Sequence, residues 1–303
     1  MSQRISFHDQ INKNIWKSVF LMIIIFAVFI VLGVVIGFIA GPTYFTMIMI
    51  LAVIISLVYL VTGYYNSDKI ALASVNAKPA SQTQYRQYHN IVEGLCLASG
   101  LPKPRLFVMK SSNINAFASG RDPQHAVLCF TTGALERLDK HELEGVIGHE
   151  LSHIANYDIR FMTLTAVLVG MIAIVSEIFL RSLFWSSFSG GRSKDGKAQI
   201  IFMIIGIVLA ILAPIVVAMI QFSISRKREF TADASAVKFI RSPTGLKNAL
   251  QKIENESSQT NEKQRATKAI APLFISDPFK RKINNLFSTH PPLEKRIKIL
   301  ERM

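Results

Sequence analysis

The sequence predicts a mainly α-helical membrane protein, with about four transmembrane helices and a polar α+β part that carries a small antiparallel sheet. Three observations support this. Half of the 303 residues are hydrophobic, and they are gathered in four long blocks rather than spread along the chain. Lys and Arg are shared unevenly among the stretches between those blocks. Short runs rich in β-branched and aromatic residues fall together in one of these stretches, separated by turn-formers.

The first block, Val19 to Ala40, holds no charged residue and exceeds the roughly 20 residues a helix needs to cross hydrocarbon. Gly41 and Pro42 follow as a turn. Next comes the uncharged "TYFTMIMILAVIISLVYLVTGYY", with Tyr59, Tyr64 and Tyr65 near one end, where aromatic rings favour the boundary of lipid and water. The two blocks read as a tight membrane hairpin. The first is longer than the roughly 7 to 15 apolar residues of a cleaved signal peptide, and a second span follows at once, so it reads as a retained anchor. A third block, Phe161 to Leu180, and a fourth, Ile200 to Ile224, complete the set. Glu177 in the third is a functional candidate, as an ionisable group within a span is by default. Its place near the far end of the block favours a plainer reading, a side chain that reaches out to water.

Orientation follows from the connections. Ten Lys and Arg lie between Asn66 and Arg160 and seventeen from Arg226 onward, while the turn at Gly41 and Pro42 has none. Both large polar regions are therefore expected on the cytoplasmic side. Arg181, Arg192, Lys194 and Lys197 run against the rule, since their loop would then lie outside. The chain divides into a membrane hairpin (1–66), a polar part (67–160), a second membrane hairpin (161–225) and a last polar part (226–303). The net charge of +14 suits apposition to an anionic leaflet of a lipid bilayer. No recognition motif accompanies that charge, which argues against nucleic acid as a partner. Cys96 and Cys129 form no C-x-x-C pair, and both read as buried, reduced thiols.

In the first polar part, apolar residues at helical spacing from Gln82 to Ala98, with Gly100 as a stop, predict one helix. "PRLFVMKSS", "INAFASG" and "HAVLCFTTG" predict three short strands. Asp139 stands three residues before Glu142, a variant of the capping box that opens a helix at about Lys140. The tail from Arg226 reads as helical, interrupted near "SSQTNEKQRATK" by a polar loop.

The helix that begins near Lys140 carries His149, Glu150 and His153 in the order His-Glu-x-x-His. Residues four apart share one helix face, so the two histidines can direct ring nitrogens at one point and supply two corners of a tetrahedral zinc site. Glu150 lies about 100° around the axis, where its carboxylate can take a proton from a water and hand it to a leaving amine. This is the chemistry of metal-assisted peptide hydrolysis. A chance match of three such residues calls for structural context, and the cap and helical pattern supply it.

A catalytic zinc needs a third protein ligand. His8, His89, His125 and His141 are each poorly placed for it. Downstream, "SISRKREFTADASAV" puts Glu229 and Asp233 four apart on one face. The third and fourth blocks go out and back, so Glu229 returns to the side where His153 lies. Asp233 can then accept a hydrogen bond from a ligating histidine and fix its tautomer. The alternative is that Glu229 pairs with the Arg and Lys residues around it. At about 1.5 Å per residue His153 is about 12 Å along a continuous helix from Phe161, which puts the zinc close to the membrane surface.

"HELSHIANYD", "SRKREFTAD", "NAFASG" and "STHPPLEKRI" together resemble the HtpX-type membrane zinc metalloproteases, of the gluzincin group that also includes the CAAX prenyl proteases. The resemblance implies a gluzincin-type protease domain with one zinc per subunit, His149, His153 and Glu229 as ligands and Glu150 as general base. It also implies multi-pass residence in a bacterial inner membrane and a stress-related role in degrading damaged or misassembled membrane proteins. Self-association is left open. Beside it, Asn115, Ala116, Phe117 and Ala118 read as an edge strand whose backbone can pair with an extended polypeptide substrate, or as an ordinary sheet edge. His290 reads as a donor to the oxyanion of the tetrahedral intermediate, or as a helix-entry histidine before Pro291. Arg296 reads as a substrate contact or as the partner of a carboxylate. Two rival functions remain: a CAAX-type processing protease, which needs a large enclosed chamber, and a zinc-binding scaffold without catalysis, for which Glu150 has no use.

Overall fold

The computed structural model describes residues 7–167, 226–257 and 291–303, with single positions at 170, 206 and 274. Two long helices come first, α1 (Phe7–Ala40) and α2 (Pro42–Tyr65). They turn on Gly41 alone, whose φ of 94° is a conformation that suits glycine, and Pro42 opens α2 at a position where its missing N–H costs nothing. Both are long and apolar enough to cross a membrane, the most apolar 18-residue stretch within Asn14–Phe38 having a mean hydropathy of 3.5 and that within α2 one of 2.6. Their backbones approach closely: a Cβ at Gly33 would stand 2.5 Å from that of Ala52. Ile50, Ile54, Val58 and Val61 on α2 are left exposed, a surface suited to lipid rather than water. Of the third and fourth predicted spans, the start of the third falls within the described residues, in helix α7 (158–167), with positions 170 and 206 alone beyond it. Glu177 and the polar loop after Ser257 lie outside them.

After α3 (Ser67–Ser74) comes a sheet of four strands among the described residues: β1 (Lys78–Pro79), β2 (Arg105–Met109), β3 (Ala116–Ser119) and β4 (Val127–Thr131). The expected antiparallel sheet is in fact mixed. The order is β1-β2-β4-β3, with β2 and β4 parallel and the two outer pairs antiparallel. The reason is topological: the chain leaves β2, passes one place over to β3, and returns through Gly120 and a 3-10 turn (Pro123–His125) to lay β4 between them. Gly120 has φ 137°, and a Cβ there would stand 2.5 Å from the His125 carbonyl oxygen. β4 is buried along its whole length. Leu128 and Phe130 join the main core on one face, while Val127 and Cys129 pack with Phe117, Met162 and Phe274 on the other. A strand covered on both faces reads as the unbroken apolar run VLCF. Burial pushes both thiols up, Cys96 to about 11 and Cys129 further.

Helix α4 spans Arg86–Ser99, starting four residues later than its periodicity suggests and ending on Gly100 in the left-handed conformation. Helix α5 (Thr132–Arg137) leads into α6 (Lys140–Ala155), around which α8 (Arg226–Ile240), α9 (Thr244–Ser257) and α10 (Leu293–Leu300) complete the core. Small residues let these helices close on α6. A Cβ at Gly145 would stand 2.4 Å from the Leu246 nitrogen, and one at Gly245 would stand 2.1 Å from the His141 carbonyl oxygen.

This interlock makes a stability prediction. Gly145→Ala drives a methyl into the backbone of α9 and should cost about 1–3 kcal/mol, the usual penalty of overpacking. Gly94→Ala, in α4 with nothing within 4 Å of the added Cβ, should be neutral or stabilising. Thermal unfolding of the two variants in detergent measures the contrast, and equal melting temperatures would contradict it.

Candidate metal centre

Helix α6 is positioned from its first turn. The Asp139 side chain accepts from the Glu142 N–H at 2.9 Å and the Glu142 carboxylate accepts from the Asp139 N–H at 2.8 Å, a complete capping box. From Gly145 to Ile154 every residue of the helix is buried, because sheet, α4, α8 and α9 enclose it. His149, Glu150 and His153 are thus carried into the interior, and Glu229 meets them from the first turn of α8. The two Nε2 atoms lie 3.2 Å apart. Glu229 Oε2 is 3.6 Å from Nε2 of His149, and Oε1 is 3.7 Å from Nε2 of His153. Among the described residues these three side chains form the group able to hold a metal, with donor atoms within 4.8 Å of one another. Ligands about 2.0–2.1 Å from a tetrahedral zinc are themselves about 3.3 Å apart, so the spacing fits that ion.

The protons are arranged to match. His149 Nδ1 is 2.9 Å from Asp233 Oδ1, and His153 Nδ1 is 3.1 Å from Asp158 Oδ2. Each ring therefore donates its Nδ1–H to a carboxylate and turns the lone pair of Nε2 toward the shared point. The Arg296 guanidinium, fully buried, brackets Asp233 with Nε to Oδ2 at 2.9 Å and Nη2 to Oδ1 at 2.6 Å, and its Nη1 lies 3.4 Å from Glu229 Oε2. Burial opposes charge on Asp233, yet Arg296 and His149 beside it hold its carboxyl below the usual range. Burial and Arg296 likewise disfavour a second proton on His149, but Asp233 and Glu229 outweigh them and push its pKa up to about 9, so that without a cation Nε2 carries a proton, which a metal bound there would displace to gain the lone pair. Four buried carboxylates, Glu150, Asp158, Glu229 and Asp233, stand here against the guanidiniums of Arg228 and Arg296. The formal excess of negative charge is what a divalent cation neutralises.

Asn115 to Ala118 lead into β3, which lies at the edge of the sheet and in contact with α6. The outer side of β3 is not wholly open, since Phe117 pairs there with Phe274 in an antiparallel bridge and their rings stack edge to face at 5.2 Å. His290 lies outside the described residues. Asp158 was missed in the sequence although it closes the quoted "HELSHIANYD". It stands five positions beyond His153, outside the three- and four-residue spacings of helical neighbours. Helix α6 ends at Ala155, however, and Tyr157 adopts φ 57°, which turns the chain so that Asp158 points back at His153. That break also ends the continuous helix expected as far as Phe161.

A buried His-Glu-x-x-His helix that faces a carboxylate from a later helix is the layout of a metal-dependent peptidase. The chain belongs to peptidase family M48, which its residues 82–303 match, and it is a metalloprotease. It is 47% identical to the protease HtpX homolog of Thermoanaerobacter pseudethanolicus over 259 residues, 85% of each chain. It is also 39% identical to those of Listeria monocytogenes serotype 4a, over 97% of this chain and 99% of the relative, and Dictyoglomus turgidum, over 98% and 95%. Its fold is similar to the crystal structure of S. mikatae Ste24p, with a TM-score of 0.50 and 19% identity, covering 95% of this chain and 65% of that longer one.

The bracket on Asp233 sets an expectation for stability. Arg296→Ala leaves Asp233 and Glu229 buried without their guanidinium, and breaking a buried ion pair in this way costs about 3–5 kcal/mol. The exposed Arg302→Ala should stay within about 0.5 kcal/mol of the parent. Chemical denaturation of the metal-stripped proteins compares them, and a parent-like midpoint for Arg296→Ala would show that the bracket contributes little.

Proposed function

We propose that the chain is an HtpX-type zinc endopeptidase of the inner membrane that hydrolyses misfolded or damaged membrane proteins at the cytoplasmic face as part of a stress response. One observation carries the chemistry: Nε2 of His149, Nε2 of His153 and the Glu229 carboxylate converge at tetrahedral spacing beside Glu150 on the same helix. His149, His153 and Glu229 would hold one zinc ion per chain. Bound there, zinc supplies Lewis acidity and lowers the pKa of water to about 7. Glu150 takes a proton from the attacking water and delivers it to the leaving nitrogen. Asp233, held by Arg296, keeps the His149 ring in the tautomer that frees Nε2. An extended substrate pairs its backbone with Asn115 to Ala118 and displaces the contact with Phe274, and His290 donates to the oxyanion.

Placement at a membrane surface is supported by the junction of hairpin and protease part. Arg121 stacks over Tyr65 at 4.9 Å, Arg160 over Tyr157 at 5.1 Å, and Lys17 and Arg228 over Phe161 at 5.9 and 5.2 Å. Basic and aromatic side chains mixed at the ends of apolar helices suit the headgroup layer, and the Lys and Arg counts favour its cytoplasmic side.

Two measurements test this reading. Glu150→Gln should keep its zinc while turnover of an unfolded protein such as casein falls by about 10²- to 10⁴-fold, whereas Glu229→Ala should lose zinc on dialysis against a weak chelator; a fully active Glu150→Gln protein, or a Glu229→Ala protein with full zinc, would refute the assignment. For orientation, a cysteine placed at Ser258 should resist a membrane-impermeant thiol reagent in intact cells and react after lysis. Reaction in intact cells would put the site on the other side.

A further inference from the structure

The head of α1 carries a polar pair that the proposed reaction does not use. The buried face of this helix runs Asn14, Ser18, Leu21, Ile25, Val28, at alternating spacings of four and three that trace one continuous stripe. Its apolar part packs on Phe161, Leu164 and Val167 of α7. Its polar part sits where α7 meets the metal centre. Asn14 Nδ2 donates to Asp158 Oδ1 at 2.8 Å and to the Asn156 carbonyl oxygen at 3.0 Å, while the Ser18 hydroxyl donates to the Asn14 carbonyl oxygen at 2.9 Å. Both partners of Nδ2 are pure acceptors, so only the nitrogen of the carboxamide fits here.

We propose that Asn14 is a positioning residue for the zinc ligand His153, acting through Asp158, so that the membrane anchor forms part of the metal site; this rests on the zinc reading above. Asp158 is gripped from three helices. Asn14 of α1 and Nε of Arg228 of α8, the latter at 3.2 Å, both hold Oδ1, which leaves Oδ2 to receive Nδ1–H of His153 at 3.1 Å. With one oxygen fixed from two directions the carboxylate cannot rotate, and the imidazole that leans on the other oxygen keeps its Nε2 aimed at Nε2 of His149 and at Glu229. A carboxamide at the head of an apolar helix is costly to bury unless its donors are satisfied, and docking of α1 on α7 satisfies both. The site is therefore complete only with the first apolar helix in place.

The test measures zinc affinity rather than proteolysis. Full-length protein in detergent is titrated with zinc in competition with a chromophoric chelator, for the parent, Asn14→Leu, Asp158→Asn and the double variant. Asn12→Leu, exposed on the same helix, serves as control. Asn14→Leu should bind zinc on the order of 10-fold more weakly, the low end of the range for outer partners of zinc ligands, and Asp158→Asn about 10- to 100-fold more weakly. Asn12→Leu should match the parent. In the Asp158→Asn background the Asn14 change should cost nothing further, because an amide whose oxygen stays with Asn14 and Arg228 turns NH2 rather than an acceptor toward His153, which cuts the link. Asn14→Ser, smaller and still a donor, should fall between parent and Asn14→Leu, and it carries the same comparison if the leucine variant does not fold. Parent-like affinity of the Asn14 variants, or the same loss in both backgrounds, overturns the inference alone. A parent that binds no zinc, or keeps it in His153→Ala, overturns the zinc reading beneath it.

Discussion

Two imidazoles on an enclosed helix must keep their Nε2 lone pairs aimed at one point, and much of the architecture around α6 serves that constraint. A ring free to rotate, or protonated on the wrong nitrogen, presents N–H where a lone pair is needed. Each ring is therefore backed by a carboxylate at Nδ1, Asp233 for His149 and Asp158 for His153. Each carboxylate is in turn held by a guanidinium, Arg296 or Arg228. The two histidines thus have matching supports, although α8 and α10 supply one and the turn into α7 with α8 supplies the other.

Burial is what makes these supports necessary and effective. In water the same groups would be solvated and would hold no fixed orientation. Inside a helix cluster, hydrogen bonds between charged partners are strong and an unpaired charge is costly, so the network holds as a unit or fails as one. The close approach that excludes water depends on missing side chains: Gly145, Gly148 and Gly245 let α8 and α9 come against α6 at backbone distance. Enclosure and the polar network are in this sense set by interleaved positions of one helix, with Gly148 directly before His149.

The membrane hairpin enters this scheme at its polar end. Leu21, Ile25 and Val28 fasten α1 to α7 through apolar contact, while Asn14 and Lys17 extend the contact to the rim of the metal centre. Tyr64 and Tyr65 at the end of α2 meet Arg160 and Arg121 nearby. Basic and aromatic side chains thus gather where the apolar helices meet the rest of the protein.

Local chemistry was legible in the sequence. The capping box at Asp139 and Glu142, the stop at Gly100, the turn at Gly41 and Pro42, and the four-residue spacing of His149 and His153 each depend on groups a few residues apart, whose geometry the backbone dictates. The three main strands were likewise visible as short apolar runs. What depends on distant groups was decided only by the tertiary structure. The parallel pairing of β2 with β4 arises because β4 inserts between strands that are neighbours in sequence, and strand composition is blind to order. The two-residue β1, Lys78–Pro79, is too short to carry a period. Asp158 reaches His153 only through the left-handed turn at Tyr157, Arg296 reaches Asp233 across 63 residues, and Asn14 reaches Asp158 across 144. A side chain's partners across such distances are set by how helices pack, and a periodic pattern reports which face is buried without saying what it is buried against.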